Sequence, residues 1–230
     1  MTWQEIYSEL QKSISFLDKI SFDERDLLRM ANISQREIVD YTNCTKKTNS
    51  TATSTAGTGE YAKPTDYVKM LRVTYNSKPI TNISKKDLDL ASLRADISNP
   101  WTDDSDTPNY YYEDISTIGF YPIPDATGKT ISFEYVYRCA DISALTDVPF
   151  DGLINMLPYH QYLIYHVLWN IYLSLGANYL PQAQSYERNY KEGMKLIVRS
   201  MNNNPDQLIT FSLIKPRRNN NTYIVPGVLP

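Results

Sequence analysis

Histidine and cysteine are almost missing from this sequence, with two of each in 230 residues. Cys44 and Cys139 are too few to build a disulfide scaffold, and they show no CxxC spacing. His160 and His166 stand six residues apart, which puts them on different faces of a helix rather than at the i, i+4 separation of a helical metal pair. No metal centre and no cofactor is expected. A Ser-His-Asp or Cys-His nucleophile needs a histidine beside it. Both histidines sit among apolar residues with helical spacing, where packing is the simpler role. Composition leaves only paired-carboxylate catalysis open, and the expectation is that the protein is not an enzyme.

Positive charge is not in excess either. Lysine and arginine number 23 against 26 aspartates and glutamates, a formal net charge of −3, so bulk positive charge for wrapping nucleic acid is excluded. Long hydrophobic runs are absent. The best candidate, Leu153 to Leu175, is interrupted by Pro158, His160, Gln161, His166 and Asn170 and is too polar for a bilayer core. The opening Met1-Thr2-Trp3-Gln4-Glu5 has neither a basic n-region nor an apolar h-region, so synthesis and retention in a cytoplasm, with no membrane association, are expected. Gly128-Lys129-Thr130 imitates the end of a phosphate-binding P-loop, but that loop needs a glycine where Ile123 stands and a helix afterwards. The residues after Thr130 alternate as a strand, so a hairpin turn is expected. Asp103-Asp104-Ser105-Asp106 lacks the glycine and closing glutamate of a calcium loop and reads as solvated.

The residues that are present suit a folded chain. Hydrophobic residues make up 42% and charged residues 21%, and a chain of this size buries about 70% of its unfolded surface. Tyrosine is over-used, 19 against 6 phenylalanines. Strand propensity accounts for single tyrosines. The excess as a whole raises the expectation of an interface-rich protein, because tyrosine tolerates both dry and wet surroundings.

The apolar period divides the chain. Thr2-x-x-Glu5 is a capping box before Trp3, Ile6, Tyr7, Leu10, Ile14 and Leu17. Ser21-x-x-Glu24 is a second one, before Leu27, Leu28, Ala31, Ile38 and Val39, with Asn32-Ile33-Ser34 as a possible interruption. Residues 42–59 are small and polar with no apolar period, and read as a long loop or a loose threonine-rich hairpin, of the kind that carries function. Strands are expected at 68–75, 78–80, 110–113, 116–122 and 130–138, with turns at Asn76-Ser77 and 125–128 and a short helix from Ser84 to Leu93. Along 130–138, Ile131, Phe133, Tyr135 and Tyr137 alternate with Ser132, Glu134, Val136 and Arg138, the pattern of a half-buried antiparallel strand. A long helix is expected from about 151 to 175, stopped by Gly176, then another from about Pro181 to Met201. The fold class is therefore α+β: a helical bundle of two N-terminal and two C-terminal helices (1–41 and 151–204), an inserted antiparallel β domain (42–150) and an extended C-terminal tail (205–230). The tail holds strand-like Leu208 to Ile214 and Thr222 to Val225, separated by a basic cluster.

This order of pieces resembles a known family. Leu27 to Ile38 (LLRMANISQREI) is similar to the first-helix region of tailed-phage head–tail adaptor proteins, also called connector or head-completion proteins. Tyr61-Ala62-Lys63-Pro64-Thr65-Asp66-Tyr67, followed by Leu71-Arg72-Val73, resembles their passage from loop to strand. Gly119-Phe120-Tyr121-Pro122-Ile123-Pro124, a turn, and Ile131 to Tyr137 resemble their sheet hairpin. The resemblance spans most of 20–203 and implies a non-enzymatic virion protein at the portal vertex of a bacteriophage head. Its partners would be the portal protein, neighbouring copies in a ring of about twelve, a further tail or ring protein, and genomic DNA passing through the channel without sequence readout. On this expectation the tail docks on a partner ring through Phe211, Lys215, Arg217, Arg218 and Tyr223, and the 42–59 loop orders against a neighbour. The alternative is a β-rich tail or baseplate component that binds another structural protein, or a surface glycan through Trp101, Tyr110, Tyr111 and Tyr112.

Overall fold

The first helix, α1 (Trp3–Ile14), starts at the expected capping box. Thr2 Oγ1 accepts the Glu5 N–H at 3.4 Å, and the Glu5 carboxylate accepts the Thr2 N–H at 2.8 Å. Its stripe of Trp3, Ile6, Leu10 and Ile14 is buried. The computed structural model describes residues 1–15, 22–94 and 105–202, so Ser21 lies outside the described residues. The cap of α2 (Glu24–Thr42) is instead Asp23, whose carboxylate accepts the Asp26 N–H at 2.8 Å. Helix α2 runs through Asn32-Ile33-Ser34 without a break and ends at Asn43 in the left-handed conformation, φ 51°. Propensity alone favoured an interruption there; side-chain bonds from Asn32 and Ser34 to distant parts of the chain override it.

The 42–59 segment is not one long loop. Its middle is β1 (Lys46–Thr53), an edge strand paired antiparallel with the final strand of the sheet. It then turns into β2 (Glu60–Ala62). Threonine suits a pleated surface, and a register shift between Asn49 and Ala52 breaks the alternation that would have revealed the strand. The next strands lie where expected: β3 (Tyr67–Tyr75) and β4 (Lys78–Asn82), joined by Asn76 and Ser77 at φ 48° and 66°, the conformation a two-residue hairpin loop requires. Ser84 caps α3 (Lys85–Arg94), accepting the Asp87 N–H at 3.1 Å. Then come β5 (Ser105–Asp106), β6 (Tyr110–Glu113), β7 (Thr117–Tyr121), β8 (Ile123–Pro124) and β9 (Thr130–Tyr137). Gly128 stands at φ 83° in the turn before β9, so the P-loop look-alike leads into a strand as read.

The seven-stranded sheet has the order β1-β9-β3-β4-β6-β7-β2 and is curled. Two pairings depart from the antiparallel expectation: β5 and β8 form a separate parallel pair, and within the large sheet β4 and β6 are parallel, with Thr81 opposite Tyr110. A parallel step needs a long crossover, and the chain between them, which carries α3, provides it. The curl lets Met70, Val73, Tyr75, Tyr111, Ile118, Phe120, Ile131, Phe133 and Tyr135 share one core. Strand β9 is buried on both faces at its end, because Val136 points away from that core into the helical one.

The expected long second-half helix begins only at His160. Before it come two 3₁₀ segments, Phe150–Gly152 and Ile154–Tyr159, the second containing Pro158. Proline removes a backbone donor and clashes with the preceding turn, so the apolar period of 153–157 does not continue the helix. Helix α4 (His160–Ser174) ends before Gly176, at φ 89°, and α5 (Leu180–Asn202) comes next. Helix α4 touches α1, α2 and α5, and the four share a core that also takes in Cys44, Val136, Cys139, Ile142, Phe150 and Met156. Among the described residues no helix is long and apolar enough to cross a membrane.

Candidate functional site

The expected tail contacts Phe211, Lys215, Arg217, Arg218 and Tyr223, together with Trp101, lie outside the described residues. What the structure does place is a polar stretch inside α2, made of the expected break Asn32-Ile33-Ser34 and the adjoining Gln35. Each of its polar side chains reaches a residue far along the chain. Asn32 brackets Ile142, its Nδ2 donating to the carbonyl at 3.0 Å and its Oδ1 accepting the N–H at 2.8 Å. Gln35 does the same across two residues, Nε2 donating to the Ala140 carbonyl at 2.9 Å and Oε1 accepting the Phe150 N–H at 2.7 Å. Two side-chain amides thus satisfy backbone groups of an irregular segment that has no ladder of its own.

Ser34 completes this row. Its Oγ is 2.7 Å from His166 Nδ1, and His166 Nε2 is 2.9 Å from Glu37 Oε2. Sequence reading missed this Ser-His-Glu row because its members come from two helices far apart in the chain. The neutral imidazole fits it, with Nε2–H donating to Glu37, while the one Ser34 hydroxyl proton is shared between Nδ1 and the Met30 carbonyl 2.8 Å away. Burial pushes the His166 pKa below its ordinary value, with Glu37 pulling the other way. The row resembles a hydrolytic triad in order but not in setting. Ser34 and His166 are both buried, and the imidazole lies 4.5 Å from the Tyr190 ring, centroid to centroid. A substrate would have to part α2 from α4 to reach the serine. The row is a tie between helices. His160 is buried as well, and burial lowers its pKa to about 4. Burial likewise raises the thiol pKa of Cys44 and of Cys139, which keeps both protonated and unreactive.

The surface offers two features of different chemistry. On α2, Arg25, Leu28, Arg29 and Ile33 line an open groove of about 380 Å³, with Arg36 held at one side by Asp141. On the sheet, the β6–β7 hairpin carries a braced tip. Lys63 pairs with Glu113 at 3.3 Å and Lys85 with Asp114 at 2.5 Å, and each lysine also sits over a tyrosine ring, Tyr67 at 4.5 Å and Tyr112 at 5.0 Å. The Tyr67 hydroxyl donates to Glu113, and burial followed by that carboxylate raises its pKa. Tyr112 lies flat over Gly119, where a Cβ would stand 1.9 Å from its ring.

Of the tyrosines named for the glycan alternative, Tyr111 is buried in the sheet's own core, Tyr112 is buried over Gly119, and Tyr110 is exposed and stacked on Tyr121. The 42–59 segment is corrected. Ser54 is buried and pins the turn before β9, donating to the Ala126 carbonyl at 2.6 Å and accepting the Lys129 N–H at 3.0 Å, so this part of the chain is ordered by the sheet itself rather than by a neighbour.

Compared with known proteins, the chain matches the family model described as SU10 adaptor protein over residues 1–209, a span that takes in every described element. No curated protein matches it.

Proposed function

The chain belongs to the SU10 adaptor protein family, a family of phage head–tail adaptors, and from this premise we propose that it forms a ring that docks on the portal and extends the DNA channel toward the tail. Its role as a structural adaptor of a bacteriophage follows from the family. The ring, the portal contact and the position at the portal vertex of the virion are the proposal. The observation that carries it is the match over residues 1–209.

In this reading the ring has about twelve copies, the number the family resemblance implies, and each copy meets its neighbour through two unlike faces, as a rotational ring requires. The helical part (1–41 and 151–204) and the β insertion (42–150) act as two working units. The tail beyond 205 docks on the portal ring or on a further tail ring, with Lys215, Arg217 and Arg218 meeting acids and Phe211 and Tyr223 burying apolar area. The slight negative charge of the chain suits a channel wall along which DNA slides without sticking. No catalytic step is assigned.

Negative-stain imaging of the protein mixed with the portal protein encoded near it tests this, with each alone as control. An added ring that follows the portal's symmetry is expected. Folded proteins that give no added density would remove the portal-adaptor reading. Deleting 206–230 is expected to leave the far-UV circular dichroism unchanged and to abolish docking; docking by the truncated chain would overturn the tail assignment.

A further inference from the structure

We propose that Ile115, at the tip of the β6–β7 hairpin, is an assembly knob that inserts into a hollow at the opposite end of the sheet on a second copy of this chain. The proposal rests on the ring reading and names the two unlike faces that reading needs.

Ile115 is 97% exposed. An isolated exposed aliphatic needs no explanation, but this one is held rigidly. The Asp114 N–H donates to the Thr117 carbonyl at 3.0 Å, and the Lys63 N–H donates to the Ser116 carbonyl at 3.0 Å. The Ile115 N–H itself donates to Asp114 Oδ1 at 2.8 Å, while Lys85 grips the other oxygen of that carboxylate. The turn is thus braced from inside the chain, and the side chain is left pointing outward. Fixing an apolar side chain before binding lowers the ordering cost of an interface.

The hollow lies at the other end of the strands. Tyr75 and Lys78 close the β3–β4 hairpin, and β4 runs parallel to β6, so this hairpin sits at the Tyr110 end of β6 and Ile115 beyond its Glu113 end. Pro79, Ile80, Pro108 and Ala126 give the hollow apolar walls, and its volume is about 310 Å³, room for an isoleucine side chain. The walls are fixed as well, since Ser54 clamps residues 126–129 and the Tyr75 hydroxyl reaches Ser54 at 3.4 Å.

Charge agrees with the pairing. The tip carries Glu60, Glu113 and Asp114 against Lys63 and Lys85, one negative charge in excess. The rim carries Lys78 and Lys129 against Asp125, one positive charge in excess. A knob at one end and a socket at the other make a heterologous contact, which propagates head to tail and closes into a ring when the rotation permits.

The test places a photo-crosslinking residue, p-benzoylphenylalanine, at position 115 in the full chain, mixes ¹⁴N and ¹⁵N copies, assembles them with the portal and maps crosslinked peptides by mass spectrometry. Crosslinks from one copy to residues 75–80, 107–109 or 125–129 of another are expected. The double variant Lys78→Glu with Lys129→Glu should cut their yield about tenfold, with circular dichroism unchanged because both lysines are exposed. Rings whose crosslinks map elsewhere on this chain or onto the portal, or that give none, would refute the knob and leave the adaptor reading standing. Failure of the unmodified chain to form any ring would refute both.

Discussion

Replacing Gln35 by leucine sets two effects against each other. Gln35 is 1% exposed on α2, so an apolar side chain of similar size gains about 1 kcal/mol from transfer out of water, and leucine is as good a helix former as glutamine. Against this, the Phe150 N–H loses its 2.7 Å acceptor and the Ala140 carbonyl its 2.9 Å donor. Phe150 is fully buried, so its orphaned N–H costs the full penalty of about 1–3 kcal/mol. Ala140 is exposed, so water recovers part of the second loss and about 1 kcal/mol remains. The sum favours destabilisation by about 1–3 kcal/mol. In a domain of this size, where each kcal/mol shifts the midpoint by about 2–4 °C, that lowers the melting temperature by roughly 2–12 °C. Gln35→Glu should cost more. It keeps the acceptor for Phe150 but turns a buried carboxylate oxygen toward the Ala140 carbonyl. Urea unfolding followed by far-UV circular dichroism measures both, with an unchanged slope showing that the native state is intact. A Gln35→Leu chain as stable as the parent would refute the argument, because it would mean the 140–150 segment does not hang from α2.

Two further predictions probe other parts of the core. Gly193 lies where α5 meets α4, and a Cβ there would stand 2.1 Å from the Tyr162 ring. Gly193→Ala gains about 1 kcal/mol of helix propensity but overpacks by about 1–3 kcal/mol, so net destabilisation is expected in a denaturant titration. Adding Tyr162→Ala should abolish the clash and reveal the propensity gain as a favourable coupling; additive effects would refute the close approach. The histidines predict a pH dependence. The folded pKa of His160 is lowered, from 6.5 to about 4, and that of His166 is lowered too, both chiefly by burial. Below pH 6.5 the unfolded chain therefore binds protons that the fold refuses. The stability is complete above 6.5 and is lost as pH falls toward 4, by up to about 3 kcal/mol from His160 alone. His160→Phe should flatten that part of a urea-midpoint profile between pH 7.5 and 4.5, and an unchanged profile would count against the burial.

Local signals made most of this fold legible. The Thr2 capping box, the Asn76-Ser77 turn, the Ser84 cap, the alternation of β9 and the stop at Gly176 are all written within a few residues, and all stand where the sequence put them. The misses share a different cause. Asn32-Ile33-Ser34 looked like a break in α2 because the partners of Asn32 and Ser34, Ile142 and His166, are more than a hundred residues away, as are Ala140 and Phe150, the partners of the adjoining Gln35. The segment holding β1 could be read either as a long loop or as a loose threonine-rich hairpin, because the strand's order comes from pairing with β9 rather than from a pattern of its own. The helix expected from 151 followed the apolar period past Pro158, and the backbone could not. At the candidate site the split is the same. The β6 and β7 strands could be read from the sequence, but the bracing of Ile115 between them depends on Lys63 and Lys85, which come from other parts of the chain.

The tyrosines decide what kind of surface this adaptor presents. Their excess suggested an interface, yet of those described only Tyr41 and Tyr110 are exposed. The others work inward. Tyr135 donates to Asp66 at 2.9 Å, Tyr172 donates to the Ser13 carbonyl at 3.0 Å, and the Tyr61 hydroxyl accepts the Thr55 N–H at 3.0 Å. A small curled sheet leaves polar backbone and carboxylates close to its core, and tyrosine fills the apolar space while its hydroxyl meets them. Tyr172 and Tyr135 are both raised to about 12, chiefly by burial, so both stay neutral and able to donate at any pH the protein meets. With most of the described tyrosines packed wholly or partly into the chain, the exposed groups available to the proposed ring contacts include an aliphatic on a braced turn, lysines around a hollow, and arginines along α2. Such a surface binds by shape and charge rather than by large apolar area, which is what a subunit needs if it is to stay apart from its copies until a ring brings many weak contacts together.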